Sequence, residues 1–376
     1  MFFFIASLIM LFMAVFSARI LFNKKRYLIY GLLMFVAMYL AVAARILIAK
    51  SGFNHLLTTL SWIGYFTVGV VSILFCASVI QVAVNIFGYV VSKSSSRFSP
   101  ARRHFLSKTM GSAMSLAVVP VSGYGFYRAV GDPVIKTIEI KKNGLNAAID
   151  GFKIVQLTDI HVGPTIGAGK VRRIVEMTNT LSPDIVVITG DLVDGAAKYI
   201  ADYITPLNNL QSKYGTYFVT GNHEYYSGAS AWLRKIRELG IKVLDNSNEI
   251  IPHNGANLLL AGIPDIHADR FGYERYDPAK AKQTESPYDF SVILSHRPEI
   301  AREVAEHGYD LQLSGHTHGG QYFPWTYVIY LFHEFVKGLY EINNMSLYVS
   351  KGTAYWGPPL RIGAEPEITE IVLRHS

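Results

Sequence analysis

The stretch Phe152-Lys-Ile-Val-Gln-Leu-Thr-Asp-Ile-His161 is an apolar run that stops at an aspartate and a histidine. A short apolar run bounded by polar residues reads as a buried β-strand, here over residues 152–157. The pattern returns along the chain. Ile185-Val-Val-Ile-Thr-Gly-Asp191-Leu-Val-Asp194 ends a second strand (185–189), and Thr216-Tyr-Phe-Val-Thr-Gly-Asn222-His223-Glu224 a third (216–220). Phe290-Ser-Val-Ile-Leu-Ser-His296 closes a fourth (290–294), and Leu311-Gln-Leu-Ser-Gly-His316-Thr-His318-Gly-Gly320 a fifth (311–313). Further strands are expected at 137–140, 258–261, 346–350 and 368–373, with helices over 170–181, 229–239 and 299–307. Asn143-Gly144 reads as a turn between the strands at 137–140 and 152–157, the first two in chain order. The alternation predicts a layered α/β domain.

Strand C-terminal ends in such a sheet open into one crevice, where ligands bind. Here they deliver Asp159, Asp191, Asp194, Asn222, His161, His223, His296, His316 and His318 to it. So many acidic and imidazole groups facing one another are costly unless a cation neutralises them. Carboxylates, imidazoles and one amide, with no thiolate, suit Mn²⁺, Fe or Zn²⁺ in a reactive site rather than a structural zinc finger. The set exceeds what one ion takes, so two ions sharing a carboxylate is the economical reading. Two metals about 3.5–4 Å apart suit displacement at phosphorus, one activating water and both steadying charge on the oxygens.

Asp-x-His, Gly-Asp-x-x-Asp, Gly-Asn-His-Glu, a single His after a strand and Gly-His-x-His, in this order, resemble the calcineurin-like metallophosphoesterases. The likeness covers residues 151–373. The runs His161-Val-Gly-Pro-Thr-Ile-Gly167, Gly221-Asn-His-Glu-Tyr-Tyr-Ser-Gly228, Ser314-Gly-His-Thr-His-Gly-Gly-Gln321 and Gly352-Thr-Ala-Tyr-Trp-Gly-Pro-Pro359 look like the membrane-attached bacterial branch. That branch is similar to exported cell-envelope phosphoesterases and, more distantly, to UDP-diacylglucosamine hydrolases. The resemblance implies a β-sandwich flanked by helices. It implies Asp159, His161 and His318 on a first metal, Asn222, His296 and His316 on a second, and Asp191 bridging both. His223 would protonate the leaving oxygen or steady the transition state. Where many family phosphatases carry Arg after the second Asp of Gly-Asp-x-x-Asp, this chain has Gly195. Losing that phosphate clamp tilts the expectation from monoesters toward diesters.

Asp265-Ile-His267 repeats the first motif where the family needs no ligand, so residues 262–275 are read as a loop near the site that touches substrate or is purely structural. His253, His307, His333 and His375 are expected at the surface or at helix caps. Asp194 and Glu224 are expected to hold the ligands rather than to be ligands. Residues 322–340 are dense in aromatics. Core packing is the default there, and a membrane-facing lip beside the site is the sharper alternative.

The first third of the chain is different. Half of all residues are hydrophobic and 17% are charged, yet residues 1–131 contain no Asp or Glu; all 28 acidic residues follow. The pI of 9.2 therefore belongs to the first third, and the net charge of +7 is not a nucleic-acid footprint. The lone Cys76 excludes an intrachain disulfide. Uncharged apolar runs at 2–18, 27–44, 62–91 and, more weakly, 109–127 predict four membrane spans, with three as the fallback; a span needs about 20 apolar residues. Division at 131/132 gives a membrane domain and a metallophosphoesterase domain.

Arg19, Lys24, Lys25 and Arg26 lie in the first loop, and Lys93, Arg97, Arg102, Arg103 and Lys108 precede the fourth run. The positive-inside rule places both clusters in the cytoplasm, so four spans leave the acidic domain outside. Ser99-Pro-Ala-Arg102-Arg103-His-Phe-Leu-Ser-Lys108 resembles an internal twin-arginine export signal, with an ordinary basic flank as the alternative. The expected function is an integral-membrane phosphoesterase cleaving a phosphodiester of the bacterial cell envelope. Its partners would be a phosphoester substrate that can be lipid-linked, membrane lipids and the twin-arginine export machinery. Competing readings are a cytoplasm-facing pyrophosphate hydrolase of a nucleotide-linked glycolipid, and a sensor or transporter whose domain only binds ligand. Against the last, no ligand is missing and the spans carry no charge deep within them.

Overall fold

The computed structural model describes residues 2–21, 26–52, 54–94, 100–142 and 144–375. Two compact units emerge, Met1–Tyr127 with Gly357–Leu360, and Arg128–Trp356 with Arg361–Ser376.

The first unit is helical. α1 runs Phe2–Leu21, α2 Tyr27–Ser51, α3 His55–Ser94, and α4 Pro100–Val130 continues into the second unit. Windows Phe4–Leu21, Tyr27–Ile48 and His55–Val90 are long and apolar enough to cross a membrane. Four of their buried hydroxyls are satisfied locally: those of Ser17, Ser61, Ser72 and Ser78 donate to carbonyls one turn back, at 2.7–2.8 Å. That arrangement removes the penalty of an unpaired polar group in hydrocarbon. Gly64 lets α3 approach α2 closely, since a Cβ there would lie 2.2 Å from Ala41 N. The fourth expected span falls on α4, which is not among the three helices apolar enough to cross, and which carries Pro120 in its interior. Arg102 and Arg103 lie at the start of α4, but their side chains, and Ser99 before them, are outside the described residues.

The second unit is two six-stranded sheets. The first has the order β1 (Val134–Lys142), β12 (Glu367–His375), β2 (Lys153–Leu157), β3 (Ile185–Thr189), β4 (Thr216–Val219), β5 (Lys242–Val243). The second has the order β10 (Gly338–Ile342), β11 (Met345–Val349), β9 (Leu311–Ser314), β8 (Phe290–Leu294), β7 (Ala256–Gly262), β6 (Ser247–His253). β2 to β5 run parallel in one sheet, as do β7, β8, β9 and β11 in the other. Alternate residues of both sheets meet in one core: Ile154, Ile185, Val187, Tyr217 and Val219 from the first, Leu258, Leu260, Val292, Leu294, Leu311 and Leu313 from the second. This period of two, with both inner faces apolar, makes a sandwich. Helices such as α5 (Ala168–Asn179) cover the outside, burying Val171, Ile174 and Val175.

The first two strands are not neighbours. β12 lies between them, antiparallel to β2 and parallel to β1. Asn143 of the expected turn lies outside the described residues, and the connection contains a short 3-10 turn at Ala147–Ile149. β6 and β10, unforeseen from sequence, are the two edges of the second sheet. An edge tolerates Pro252 within β6 because the missing N–H breaks no ladder on the outer side.

Candidate metal centre

The loops that follow β2 and β3 are zipped together before any side chain is considered. Asp159 N–H donates to Gly190 O (3.1 Å), His161 N–H to Asp191 O (3.0 Å) and Val162 N–H to Leu192 O (2.9 Å). Asp159, His161, Asp191, His316 and His318 all adopt positive φ, between 49° and 72°. Left-handed backbone costs a non-glycine residue energy, and its concentration on chemically active side chains marks a functional site. Glycines permit the crowding. A Cβ on Gly315 would lie 2.2 Å from Asp159 Oδ2, and one on Gly221 2.2 Å from Asp191 Oδ1.

Two clusters that share no residue result, and a third group, His161, Asp194 and His223, overlaps the first at His161. Asp159, His161 and His318 converge in one, with His161 Nε2 3.0 Å from His318 Nε2 and His318 Nε2 3.5 Å from Asp159 Oδ1. Asp191, His296 and His316 converge in the other, with His296 Nε2 3.2 Å from Asp191 Oδ2. The same Asp191 oxygen lies 3.8 Å from His161 Nε2, so this carboxylate stands between the two groups. Asn222 opens the helix Asn222–Ser227; the backbone N–H of its neighbour His223 donates to Asp191 Oδ1 at 2.9 Å.

The electrostatics are those of a site short of positive charge at one place and overcrowded with imidazoles at another. Burial pushes the Asp159 carboxyl up to about 6. Burial, reinforced by His223, holds His161 down at about 3, and burial drives His316 and His318 well below the usual imidazole range. For Asp191, burial acts upward but is outweighed by His296, His223 and His161, which hold it well below the carboxylate range. The converse holds for His296: burial acts downward, and Asp191 overrides it, lifting the ring to about 10. His296 Nδ1–H donates to Thr189 O at 2.8 Å, which turns Nε2 toward Asp191. His161 Nδ1 and His316 Nδ1 are buried without a hydrogen-bond partner. Orphaned buried nitrogens beside a buried carboxylate pair fit divalent cations, which need deprotonated imidazoles and relieve carboxylate repulsion.

The His223 side chain falls in neither of the two clusters but groups with Asp194 and His161. Its Nδ1 lies 3.3 Å from Asp194 Oδ1, its ring is 4.6 Å from that of His161, and Asp191 and Asp194 raise its pKa against burial. Glu224 is fully buried and accepts four backbone N–H groups, from Gly221 (2.7 Å), Asp191 (3.0 Å), Leu192 (2.8 Å) and Val193 (3.3 Å).

Several neighbours carried no sequence signal. The Arg361 guanidinium is fully buried and donates to His318 Nδ1 (2.9 Å) and to the carbonyls of His318, Lys351, Ala354 and Ala364; burial lowers its pKa to about 9. Guanidinium can only donate, so beside Arg361 the His318 Nδ1 accepts and the ring proton sits on Nε2, the atom facing His161.

The repeated Asp265-Ile-His267 motif takes no part in either cluster. Asp265 is buried and accepts from Arg297 Nε at 2.9 Å, while Arg297 Nη2 donates to Asn222 Oδ1 at 3.2 Å. One of the histidines expected at the surface or at helix caps is not there: His253 is buried against Phe152 and bonds Tyr214 Oη at 3.0 Å. His333 is half-buried, its ring 5.9 Å from that of His316 and 3.4 Å from Glu299. The aromatic stretch divides: Tyr322 and Phe335 are buried, whereas Phe323, Trp325, Tyr327, Tyr330 and Phe332 are exposed.

A calcineurin-like phosphoesterase model matches residues 152–320. The chain is 40% identical over 275 residues to a Bos taurus "Transmembrane protein with metallophosphoesterase domain", covering 70% of this chain and 62% of that protein. It is 35% identical to the Danio rerio protein of the same description, covering 84% and 74%. An "Uncharacterized metallophosphoesterase" of Helicobacter pylori (strain J99) is 36% identical, with 77% of each chain covered. The match spans less than two thirds of the bovine relative's length. With its five strand-end motifs gathered at one end of a β-sandwich, this chain belongs to the calcineurin-like phosphoesterase family.

Proposed function

We propose that the chain is a membrane-anchored, metal-dependent phosphoesterase with a two-ion centre, acting on a phosphodiester. The observation that carries this reading is Asp191, whose single carboxylate stands between Asp159/His161/His318 and His296/His316. Asp159, His161 and His318 would hold one ion, His296, His316 and Asn222 the other, and Asp191 both. Ions bound there would supply Lewis-acid stabilisation of charge developing on the phosphoryl oxygens.

The remaining work falls to the protein. His223, with its pKa raised and its Nδ1 on Asp194, holds a proton on the side chain nearest the centre and delivers it to the leaving oxygen. Glu224 fixes the backbone of both loops that carry Asp191 and Asn222. Arg297 Nη2 donates to one lone pair of Asn222 Oδ1, which orients the amide and leaves the second lone pair for an ion. Gly195 leaves the position after Asp194 without a cationic side chain, which favours the single negative charge of a diester over the double charge of a monoester. The test is hydrolysis of an aryl phosphodiester and the matching monoester by the full chain in detergent with Mn²⁺, and its loss to a chelator. Faster turnover of the monoester would remove the diester preference.

The substrate side of the membrane follows from α4. If α4 is a fourth crossing, the positive-inside rule puts the centre outside the cytoplasm, facing envelope phosphodiesters. Its uncharged stretch from Thr109 to Tyr127, with Leu116, Val119 and Tyr124 exposed, supports that reading. The second reading, a cytoplasm-facing hydrolase of a nucleotide-linked glycolipid, is favoured by the absence of α4 from the three sufficiently apolar helices. Reporter fusions after Ser92 and after Lys136 separate them: opposite sides mean that α4 crosses, the same side that it does not.

A further inference from the structure

Two large side chains stand exposed beside the proton donor, and a third extends their row, although the site itself is charged and buried. The Trp356 ring lies 5.6 Å from His223 and 6.4 Å from His161, and the Tyr226 ring lies 5.4 Å from His223 on another element. Phe271 continues the row at 5.7 Å from Tyr226. Trp356 is 46% exposed, Tyr226 53% and Phe271 43%. These rings come from three separate places in the sequence, so no local pattern puts them together.

Their positions are built rather than accidental. Gln321, buried and directly following the Gly-His-Thr-His-Gly-Gly run, clamps the Trp356 backbone from both sides: its Nε2 donates to Trp356 O at 2.9 Å, and Trp356 N–H donates to its Oε1 at 2.9 Å. Tyr226 is fixed by its place on the helix Asn222–Ser227, three residues after His223. Phe271 is stacked on Tyr225 at 5.7 Å, which in turn bonds Thr220 Oγ1 at 3.0 Å. Exposed apolar groups gathered next to catalytic machinery mark a surface that something else covers.

We propose that Trp356, Tyr226 and Phe271 form a collar that binds the organic group attached to the leaving oxygen, and that this group is apolar at its first few atoms. The inference rests on the phosphoesterase reading. His223 must reach the leaving oxygen to protonate it, so the atoms bonded to that oxygen pass beside His223, where Trp356 and Tyr226 stand on two sides. A ring would lie against the aromatic faces, and an alkyl chain would follow the row toward Phe271; the shared requirement is an apolar leaving group.

The full chain in detergent, loaded with Mn²⁺, is titrated by calorimetry with methyl-, phenyl- and octylphosphonate, which share the anionic head and differ in the organic group. Trp356→Ala should weaken phenyl- or octylphosphonate by about two- to tenfold, the range expected for losing one aromatic contact, while methylphosphonate affinity and bound metal stay unchanged. Trp356→Phe should restore most of the loss. The probe that loses more identifies the natural group as ring or chain. An equal loss for all three phosphonates, or for none, overturns the collar while leaving the phosphoesterase intact. Failure of the wild-type chain to bind any phosphonate overturns the collar, whereas failure to hydrolyse an aryl phosphodiester with Mn²⁺ overturns the phosphoesterase reading and the collar with it.

Discussion

The Glu224 carboxylate accepts the backbone N–H of Asp191 at 3.0 Å, and with the same two oxygens it holds Gly221, Leu192 and Val193. One buried side chain thus ties the turn after β3 to the turn after β4. Asp191 keeps its positive φ, and His223 its place against Asp191 Oδ1, because neither loop can shift without the other.

Glu224→Ala should therefore cost both stability and metal. Each orphaned buried N–H costs about 1–3 kcal/mol, so the variant should lose several kcal/mol of stability. Thermal melting of the full chain, with metal content measured in parallel, checks this. An unchanged Tm would mean that the loops are held some other way.

His223→Gln should behave differently. It removes the proton donor and leaves the ligands proposed for both ions in place, so bound metal should be unchanged while kcat falls by about 10²–10⁴-fold. Asp194→Asn should give a smaller loss, since it weakens the hold on His223 Nδ1 without removing the ring. Loss of an ion in His223→Gln would make His223 a ligand.

Asp265→Ala removes the closer of the two carboxylates that pair with the mostly buried guanidinium of Arg297, the other being Glu299 at 3.7 Å, and should destabilise the domain by about 1–3 kcal/mol. Metal stoichiometry should stay at that of the wild type, because Asp265 joins neither cluster. A loss of one ion per chain would move Asp265 into the ligand set.

These residues show what the sequence could and could not say. The strand-end motifs were legible because a buried strand is a continuous apolar run and the polar residues that stop it, Asp159, Asp191 and His296, have no place in a core. The central strands β2, β3 and β8 were readable almost to the residue for that reason. β6 and β10 were not, because an edge strand half in solvent has no apolar run to display. Nor did the pattern reveal that β12 separates β1 from β2, since nothing in a strand's own sequence names its neighbour. Arg361, Arg297 and Gln321 escaped notice because each acts through contacts with residues distant in the chain: His318, Asn222 and Trp356. The Asp265-Ile-His267 repeat is the opposite case: a correct local spelling at a place where the motif order calls for no ligand, and there the fold uses Asp265 to hold an arginine.

The account stands or falls on Asp191 as the carboxylate shared by two ions, and metal content of the full chain measured alongside phosphodiester turnover tests it most directly. The wild-type chain should carry two ions, lose activity to a chelator and regain it with Mn²⁺; Asp191→Asn should lose metal as well as rate. Full metal occupancy in Asp191→Asn would contradict the shared-carboxylate centre.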